Sequence, residues 1–426
     1  MTEAFLQYVW QHQMFDRGLT TTDGQPVAVL RAGELNTDAG PDFFNARVRI
    51  GDVEWAGNIE LHIRTSDWDL HRHTQDAAYN SVVLHVVYEH DREIRMQDGQ
   101  VPPTLELKHY LHPSLVANYD ALMRPVDDGE MPCGKWVGEV PQFFVQSFME
   151  RLAVERVGAK TETVRRLLDE SRGGWEQTCY WLMARYFGGT VNALAFEMLA
   201  KSTDQRLLAR WKDNPQRTEA LLMGQAGLLE GFFEDQYPRQ LQTDYEALRA
   251  GASLTPMGGY LWRFYRLRPS SFPTIRISQF ARMVSSSSNL FSTLLTITDA
   301  KEMEKFFDQP AASYWDNHYK FDTVTEKASR KRVGKMQARS LIINAWVPLL
   351  FLYGSVHGQQ KYKDQAMNLL MQVPAEDNAI IRRMKGVGLV PRNAAESQAL
   401  LQMNNEYCRR RKCLECGIGY QILKHK

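Results

Sequence analysis

Two carboxylates and a histidine near the N-terminus have the residue types and the spacing of a cation site. Asp42 follows Gly40-Pro41, and one residue separates Glu60 from His62. The Gly51-Asp52 pair between them is typical of a hairpin turn, which would bring Asp42 close to Glu60. Carboxylate oxygens suit Mg²⁺ and Mn²⁺, and such a cation lowers the pKa of a bound water and neutralises charge on a phosphodiester. The pattern therefore predicts a Mg²⁺ or Mn²⁺ site at Asp42 and Glu60.

Two neighbouring strands are expected to hold these residues. Residues 43–50 and 53–64 have the composition of strands that this turn would join. In the second strand apolar and polar residues alternate, so the apolar set faces a core. The same alternation places Glu60, His62 and Arg64 together on the polar face.

The elements around these strands follow a definite order. A helix or turn separates the third strand from the fourth, so these two strands can pair in parallel through a crossover. His85 lies in the fourth, buried strand and could face the same site, although a single histidine in a core is more often structural. The predicted elements are a helix over 2–15, strands over 26–31, 43–50 and 53–64, a helix or turn over 68–79, and strands over 81–88 and 104–108.

This order, with Pro41-Asp42 and Glu60-x-His62 on adjacent strands, resembles the PD-(D/E)XK nuclease superfamily over roughly residues 1–90. The resemblance implies an αβββαβ mixed-sheet fold and metal-dependent cleavage of DNA or RNA, with Asp42 and Glu60 as ligands. His62 occupies the place of the superfamily's lysine, near the attacking water, with Arg64 or His85 assisting. The whole chain also resembles an uncharacterised bacterial family of unknown function, which brings no known activity.

His71 and His73 form a second candidate cluster, close in sequence to Asp76. In a loop, His-x-His with a nearby carboxylate can bind zinc or manganese. On a helix, residues two apart point in different directions, which weakens the prediction. A histidine beside the carboxylate site could also act as a general acid or base. The cluster suggests an alternative function, a metal-dependent hydrolase of a small molecule.

Cysteines crowd near the C-terminus, where Cys408, Cys413 and Cys416 follow a Cys-x₄-Cys-x₂-Cys pattern. Such a run can bind zinc or begin an iron–sulfur site, and either needs a fourth ligand. Cys133 is the first candidate and Cys179 the second. The other interpretation is a set of reduced thiols without metal. An odd number of cysteines favours a reduced cytoplasmic chain over a disulfide framework.

Charge and prolines predict a domain boundary near residue 130. Residues 1–130 carry 10 basic and 21 acidic residues, whereas the rest of the chain carries 41 and 29. Six prolines between 102 and 141 and the acidic Asp127-Asp128 pair mark the junction. We therefore predict an α/β domain over 1–130. A mostly α-helical, basic domain follows over 131–426 and ends in the cysteine cluster.

Several function classes lack their motifs in this chain. It has no P-loop, no Gly-x-Gly-x-x-Gly, no Gly-x-Ser-x-Gly and no His-Glu-x-x-His. Basic and aromatic residues interleave over 260–268, and basic runs occur at 330–335 and 409–412. These stretches could bind a DNA or RNA backbone, or be buried helices whose arginines reach the surface. A nuclease is thus the leading function, and a non-catalytic nucleic-acid-binding or scaffold protein is the alternative.

No segment predicts membrane attachment. The first residues lack the basic and apolar regions of a signal peptide. The longest apolar run, 341–356, contains Asn344 and Pro348 and is shorter than the roughly 20 residues that span a bilayer. We expect a cytoplasmic protein without a membrane partner.

Overall fold

The computed structural model describes residues 1–125, 130–211, 213–252 and 254–424, and it contains two compact units. The first unit comprises 1–148, 383–389 and 403–426, and the second comprises 149–382 and 390–402. The C-terminal segment 403–426 thus packs within the N-terminal unit, whereas the sequence alone assigned it to the helical domain. The boundary at 130 stays a prediction, and Asp127 and Asp128 lie outside the described residues.

A mixed sheet forms the centre of the first unit. Its strand order is β1-β2-β4-β5-β6-β7, with β3 also paired to β4. The strands from β1 to β5 pair antiparallel, whereas β5–β6 and β6–β7 pair in parallel. The strands are β1 (Leu19–Thr20), β2 (Pro26–Arg31), β3 (Glu34–Leu35), β4 (Phe43–Ile50), β5 (Val53–Arg64), β6 (Val82–Glu89) and β7 (Thr104–Glu106). The predicted mixed sheet and the parallel fourth strand are confirmed.

The turn and the alternation predicted for the central strands are present. Ile50 pairs with Val53 across the turn, and Gly51 has a φ of +58°, which glycine adopts without steric cost. Along β4, Phe43, Ala46, Val48 and Ile50 are buried, so this strand has one core face. Each large buried apolar side chain stabilises the fold by about 1.5–3 kcal/mol.

The N-terminal helix packs on this sheet. Helix α1 (Glu3–Gln11) buries Phe5, Leu6, Val9 and Trp10 completely. Trp10 Nε1 donates a 2.9 Å hydrogen bond to the carbonyl of Ala32, which ties the helix to the loop after β2. The helix ends earlier than residue 15, since His12 already has non-helical backbone angles.

The crossover between β5 and β6 is irregular. It consists of the single turn α2 (Asp67–Leu70) and two 3₁₀ turns, His73–Gln75 and Ala77–Ser81. Its buried residues Trp68 and Tyr79 pack in one cluster with Val82, Ile94 and Met96. The strand predicted over 104–108 ends at Glu106 and is followed by a third 3₁₀ turn. Helices α3 (Pro113–Met123) and α18 (Gly417–Lys424) also belong to the first unit.

Helices dominate the rest of the chain, as predicted. The only strands described there are β8 (His318–Lys320) and β9 (Thr323–Val324), which form a small hairpin within the described residues. The helices are α4 (Gln142–Glu170), α5 (Trp175–Phe187), α6 (Gly189–Ser202), α7 (Gln205–Arg210), α8 (Pro215–Gln225), α9 (Gln236–Ala252), α10 (Pro273–Ser285), α11 (Leu290–Thr296), α12 (Ala300–Phe307), α13 (Lys335–Leu341), α14 (Val347–Val356), α15 (Gln360–Gln372), α16 (Ala379–Gly386) and α17 (Ala394–Gln402).

One helical stretch of the described chain is long and apolar enough to span a membrane. It runs over Lys335–Val356, is 22 residues long, and has 61% of its apolar window buried inside the protein. A π-helical segment, Ile342–Trp346, joins α13 to α14 just before Pro348, which lacks an N–H for the helical ladder. Such burial is typical of a core helix.

A buried carboxylate holds three helices of the second unit together. Glu197 on α6 is 5% exposed and accepts two 3.0 Å bonds from Arg166 on α4. Arg185 on α5 and Lys201 on α6 each donate a 2.7 Å bond to the same carboxylate. Burial alone would raise the pKa of Glu197, but these three cations outweigh it and lower the pKa to about 2.

We predict that Glu197→Gln lowers the free energy of unfolding by about 1–3 kcal/mol at pH 7, because three cations lose their shared charge. Since the folded pKa of Glu197 is depressed, its contribution is complete above pH 4.5 and is lost as the pH falls towards 2. Urea unfolding at several pH values measures both effects. The control Glu170→Gln removes a more exposed carboxylate that also binds Arg166 and Lys201. An equal loss in both variants would contradict the prediction.

Candidate metal centre

Asp42 and Glu60 lock each other in place where β4 begins. The backbone N–H of Asp42 donates a 3.0 Å bond to Glu60 Oε2. In return, the backbone N–H of Leu61 donates a 2.9 Å bond to Asp42 Oδ2. Gln7 Nε2 on α1 donates a 2.8 Å bond to Asp42 Oδ1. The hairpin thus brings the two carboxylates together, as the sequence suggested, and the helix holds one of them from the side.

Three histidines converge on the free side of Glu60. Its Oε1 lies 3.1 Å from His73 Nε2 and 3.6 Å from His62 Nε2, and His62 Nε2 lies 3.1 Å from His71 Nδ1. One ring nitrogen from each histidine lies within 4.8 Å of the others. His73 Nε2 makes no aligned hydrogen bond with any described residue. Ligands of one ion, each about 2 Å from it, sit roughly 3–4 Å apart, so these four atoms fit one metal ion.

The backbone at Arg72 explains how His71 and His73 reach the same place. His71 ends α2, His73 opens the next 3₁₀ turn, and Arg72 between them is left-handed with a φ of +64°. A regular helix would point two such residues apart, but the left-handed residue reverses the chain between them. This conformation costs a non-glycine residue about 1–2 kcal/mol, and such strain is often found at functional sites.

An aromatic wall fixes one of these rings. His73 stacks on Tyr79 with ring centroids 3.7 Å apart and meets the edge of Trp68 at 5.3 Å. Trp68 also lies edge-on to His62 and His85. Because Trp68 is completely buried, the histidine rings have little freedom to turn.

His85 supports the centre from behind. It lies on β6 beside Glu60 in the parallel pairing and is completely buried. Its Nε2 lies 2.9 Å from His62 Nδ1, so one of these nitrogens donates to the other. When His62 Nδ1 is the donor, His62 Nε2 presents its lone pair to Glu60 and His71. A hydrogen bond of this kind orients a metal-binding histidine.

Burial sets the charge state of the centre. It lowers the pKa of His62 to about 2 and that of His85 to about 3, so both rings stay neutral at physiological pH. Burial also raises the pKa of Asp42, as does the nearby charge of Glu60. The pKa of Glu60 is raised by burial and by Glu3. Neutral imidazoles beside crowded carboxylates are the donor set that a divalent cation stabilises.

The other predicted residues of this region lie around the centre. Arg64 is exposed, its backbone N–H donates to Asp67, and its charge acts on Asp91. Asp76 caps the 3₁₀ turn that begins at Ala77 by accepting a bond from the N–H of Ala78. Neither side chain belongs to the group of ring nitrogens around His62.

Two residues of α1 were missed in the sequence. Gln7 holds Asp42, and the charge of Glu3 acts on Asp42, Glu60 and His73. The available signal was their spacing of four residues, which places both on one polar stripe of an otherwise apolar helix. That stripe indicates a contact with a polar partner, although it does not identify the partner.

The predicted cysteine set also comes together, away from the second unit. Cys133, Cys408, Cys413 and Cys416 all lie in the first unit, and the electrostatic influence of each reaches the other three. Cys179, the second candidate for the fourth ligand, is completely buried on α5 of the second unit. No disulfide joins any of the five cysteines, all of which are described.

The chain belongs to the family described as "Protein of unknown function (DUF2851)", whose model matches residues 3–379. This match confirms the resemblance of the whole chain to a family of unknown function. Neither a curated protein nor a solved structure matches the chain.

We predict that the chain binds one Mn²⁺ at Glu60, His62, His71 and His73. Mn²⁺ is the appropriate probe because it prefers oxygen and imidazole ligands over the thiols elsewhere in the unit. Glu60→Gln and His73→Ala should each weaken binding by about 100-fold or more, beyond the 10–100-fold typical of supporting residues. Isothermal titration calorimetry measures the affinity. In the control Asp76→Asn, which keeps the capping oxygen, binding should be unchanged, and unchanged binding in Glu60→Gln would contradict the assignment.

Proposed function

We propose that this protein is a metal-dependent hydrolase that cleaves phosphodiester bonds in DNA or RNA. The observation that carries the proposal is the locked pair Asp42–Glu60 beside His62, with three ring nitrogens facing Glu60. A divalent cation bound there would lower the pKa of a water and neutralise charge on the phosphodiester. These are the two requirements of phosphodiester hydrolysis that the side chains alone do not meet.

The order of elements supports a PD-(D/E)XK-like fold for the first unit. Helix α1 precedes the antiparallel strands β2, β4 and β5, and β6 returns in parallel beside β5. Asp42 lies at the head of β4, and Glu60-x-His62 lies within β5. The departures are the broken crossover and the histidine in the place of the lysine.

That histidine changes the division of labour among the residues. His62 is neutral and 1% exposed, so it does not supply the positive charge that a lysine would bring. We assign it to cation binding, with Glu60, His71 and His73, and assign Asp42 to holding Glu60 in position. His71 is the exposed member of the group, so it is placed to exchange a proton with solvent or substrate.

The donor set also bears on the choice of cation. Three imidazoles and one carboxylate suit Mn²⁺ and Zn²⁺ better than Mg²⁺, which prefers oxygen ligands and keeps several waters. We therefore propose Mn²⁺ or Zn²⁺ as the working cation and expect weaker activity with Mg²⁺.

Access to the centre favours a second candidate function, the hydrolysis of a small molecule. Glu60, His62 and His73 are each less than 9% exposed, which leaves a narrow approach beside His71. The acidic excess of residues 1–130 would also repel a long polyanion. Through the same residues, a small phosphoester could reach the cation where a duplex could not.

The test compares cleavage of labelled single- and double-stranded DNA and RNA with Mn²⁺, Zn²⁺ and Mg²⁺. Glu60→Gln keeps the size of the side chain and the acceptor for Asp42 but removes the charge, so activity should fall by about 100-fold or more. Asp42→Asn should also reduce activity because it weakens the positioning of Glu60. Arg64→Gln, an exposed change on the same strand, is the matched control and should retain activity.

The substrates that fail are as informative as those that are cut. If Mn²⁺-loaded, folded wild type cleaves a small phosphodiester such as bis-p-nitrophenyl phosphate but no nucleic acid, the small-molecule function replaces the nuclease. If no substrate is cut while DNA or RNA binds with a steep salt dependence, the protein is a binding or scaffold protein and the catalytic proposal is wrong.

A further inference from the structure

Four cysteines from distant parts of the chain meet in the first unit. Cys133 lies in the turn after α3, and Cys408 ends a π-helical segment, Met403–Cys408. Cys413 and Cys416 lie in the turn before α18. Each of the four acts electrostatically on the other three, so the thiols form one cluster and not two separate pairs.

The C-terminal turn is shaped to point its cysteines inward. The N–H of Cys416 donates a 3.3 Å bond to the carbonyl of Cys413, which closes a Cys-Leu-Glu-Cys turn. A Cβ at Gly419 would lie 2.1 Å from that carbonyl, so only glycine lets α18 begin so close beneath the turn. A Cβ at Gly417 would similarly lie 2.9 Å from the ring of Phe148. The two glycines therefore allow a compact knuckle, the element that zinc sites often use.

The charges around the cluster suit anionic sulfur. Arg383 lowers the pKa of Cys408, and Arg411 lowers that of Cys413, although burial raises both pKa values more strongly. Arg411 is anchored by a 3.0 Å bond to the carbonyl of Arg124. Four thiolates around a divalent cation carry a net charge of −2, which two guanidinium groups offset. The basic run that the sequence offered to nucleic acid thus has a partner within its own unit.

A buried donor without a partner points to the same place. Tyr8 on α1 is 6% exposed, and its hydroxyl has no hydrogen-bond partner among the described residues. This hydroxyl interacts electrostatically with Cys416. A buried hydroxyl without a partner costs about 1–3 kcal/mol, whereas a metal-bound thiolate is an acceptor for such a donor. The orphaned hydroxyl is thus accounted for when Cys416 binds a metal as a thiolate.

We propose that Cys133, Cys408, Cys413 and Cys416 bind one metal centre through four thiolates. Such a site has no open position for substrate and is therefore structural. It fastens the C-terminal segment to the turn around residue 133, within the first unit. Zinc and an iron–sulfur cluster share this ligand chemistry, and the metal content of the protein distinguishes them.

The test is metal analysis of the full chain purified without added metal under anaerobic conditions. We expect about one zinc per chain, or iron with acid-labile sulfide and visible absorption, in wild type. Cys133→Ser and Cys416→Ser should each lower that content by about ten-fold or more, since each removes one of four ligands. Cys179→Ser is the matched control, because it removes a buried thiol of the second unit, and should retain the metal.

A second measurement covers variants that fail to fold. Wild type is stripped of metal and reloaded with Co²⁺, whose visible spectrum distinguishes four thiolates from nitrogen and oxygen ligands. The proposal is overturned if stripped wild type takes up no metal with thiolate bands. It is also overturned if Cys133→Ser keeps its full metal content, or if His73→Ala loses the metal in place of Cys133→Ser. Because none of these results depends on cleavage, they leave the proposed function untouched.

Discussion

The reciprocal hydrogen bonds between Asp42 and Glu60 are the constraint on which the candidate site depends. They hold two carboxylates side by side in a largely buried place, where burial and mutual repulsion raise both pKa values. The backbone of the β4–β5 hairpin supplies both donors, so the pairing follows from strand register and not from flexible side chains. A pair held in this way is stable either with a proton between its members or with a cation beside it.

The crossover supplies what this pair lacks. Its broken path, with left-handed Arg72 between His71 and His73, places two imidazoles opposite Glu60, and β5 itself supplies His62. His85 on β6 then orients His62 from behind. The outcome is a nitrogen-rich centre, where the resemblance to nucleases implied an oxygen-rich one with a lysine. The proposed preference for Mn²⁺ or Zn²⁺ over Mg²⁺ follows from that difference.

Local patterns predicted the parts of this site that depend on local physics. Alternation along residues 53–64, the Gly51-Asp52 turn and the β-branched fourth strand were enough to predict the mixed sheet and the approach of Asp42 to Glu60. The inward turn of His71 and His73 was not predictable, because it depends on one non-glycine residue in a strained conformation. The packing of segment 403–426 within the first unit was also missed, since long-range packing leaves no periodic signal.

The central claim is that Glu60 and three histidines form one cation site, and anomalous diffraction from crystals grown with Mn²⁺ tests it most directly. The account predicts one anomalous peak about 2.0–2.3 Å from Glu60 Oε1 and from ring nitrogens of His62, His71 and His73. A map without a peak there, with His62 still bonded to His71 and Mn²⁺ only on surface carboxylates, would contradict the account. The histidines would then be a neutral hydrogen-bonded cluster of the core.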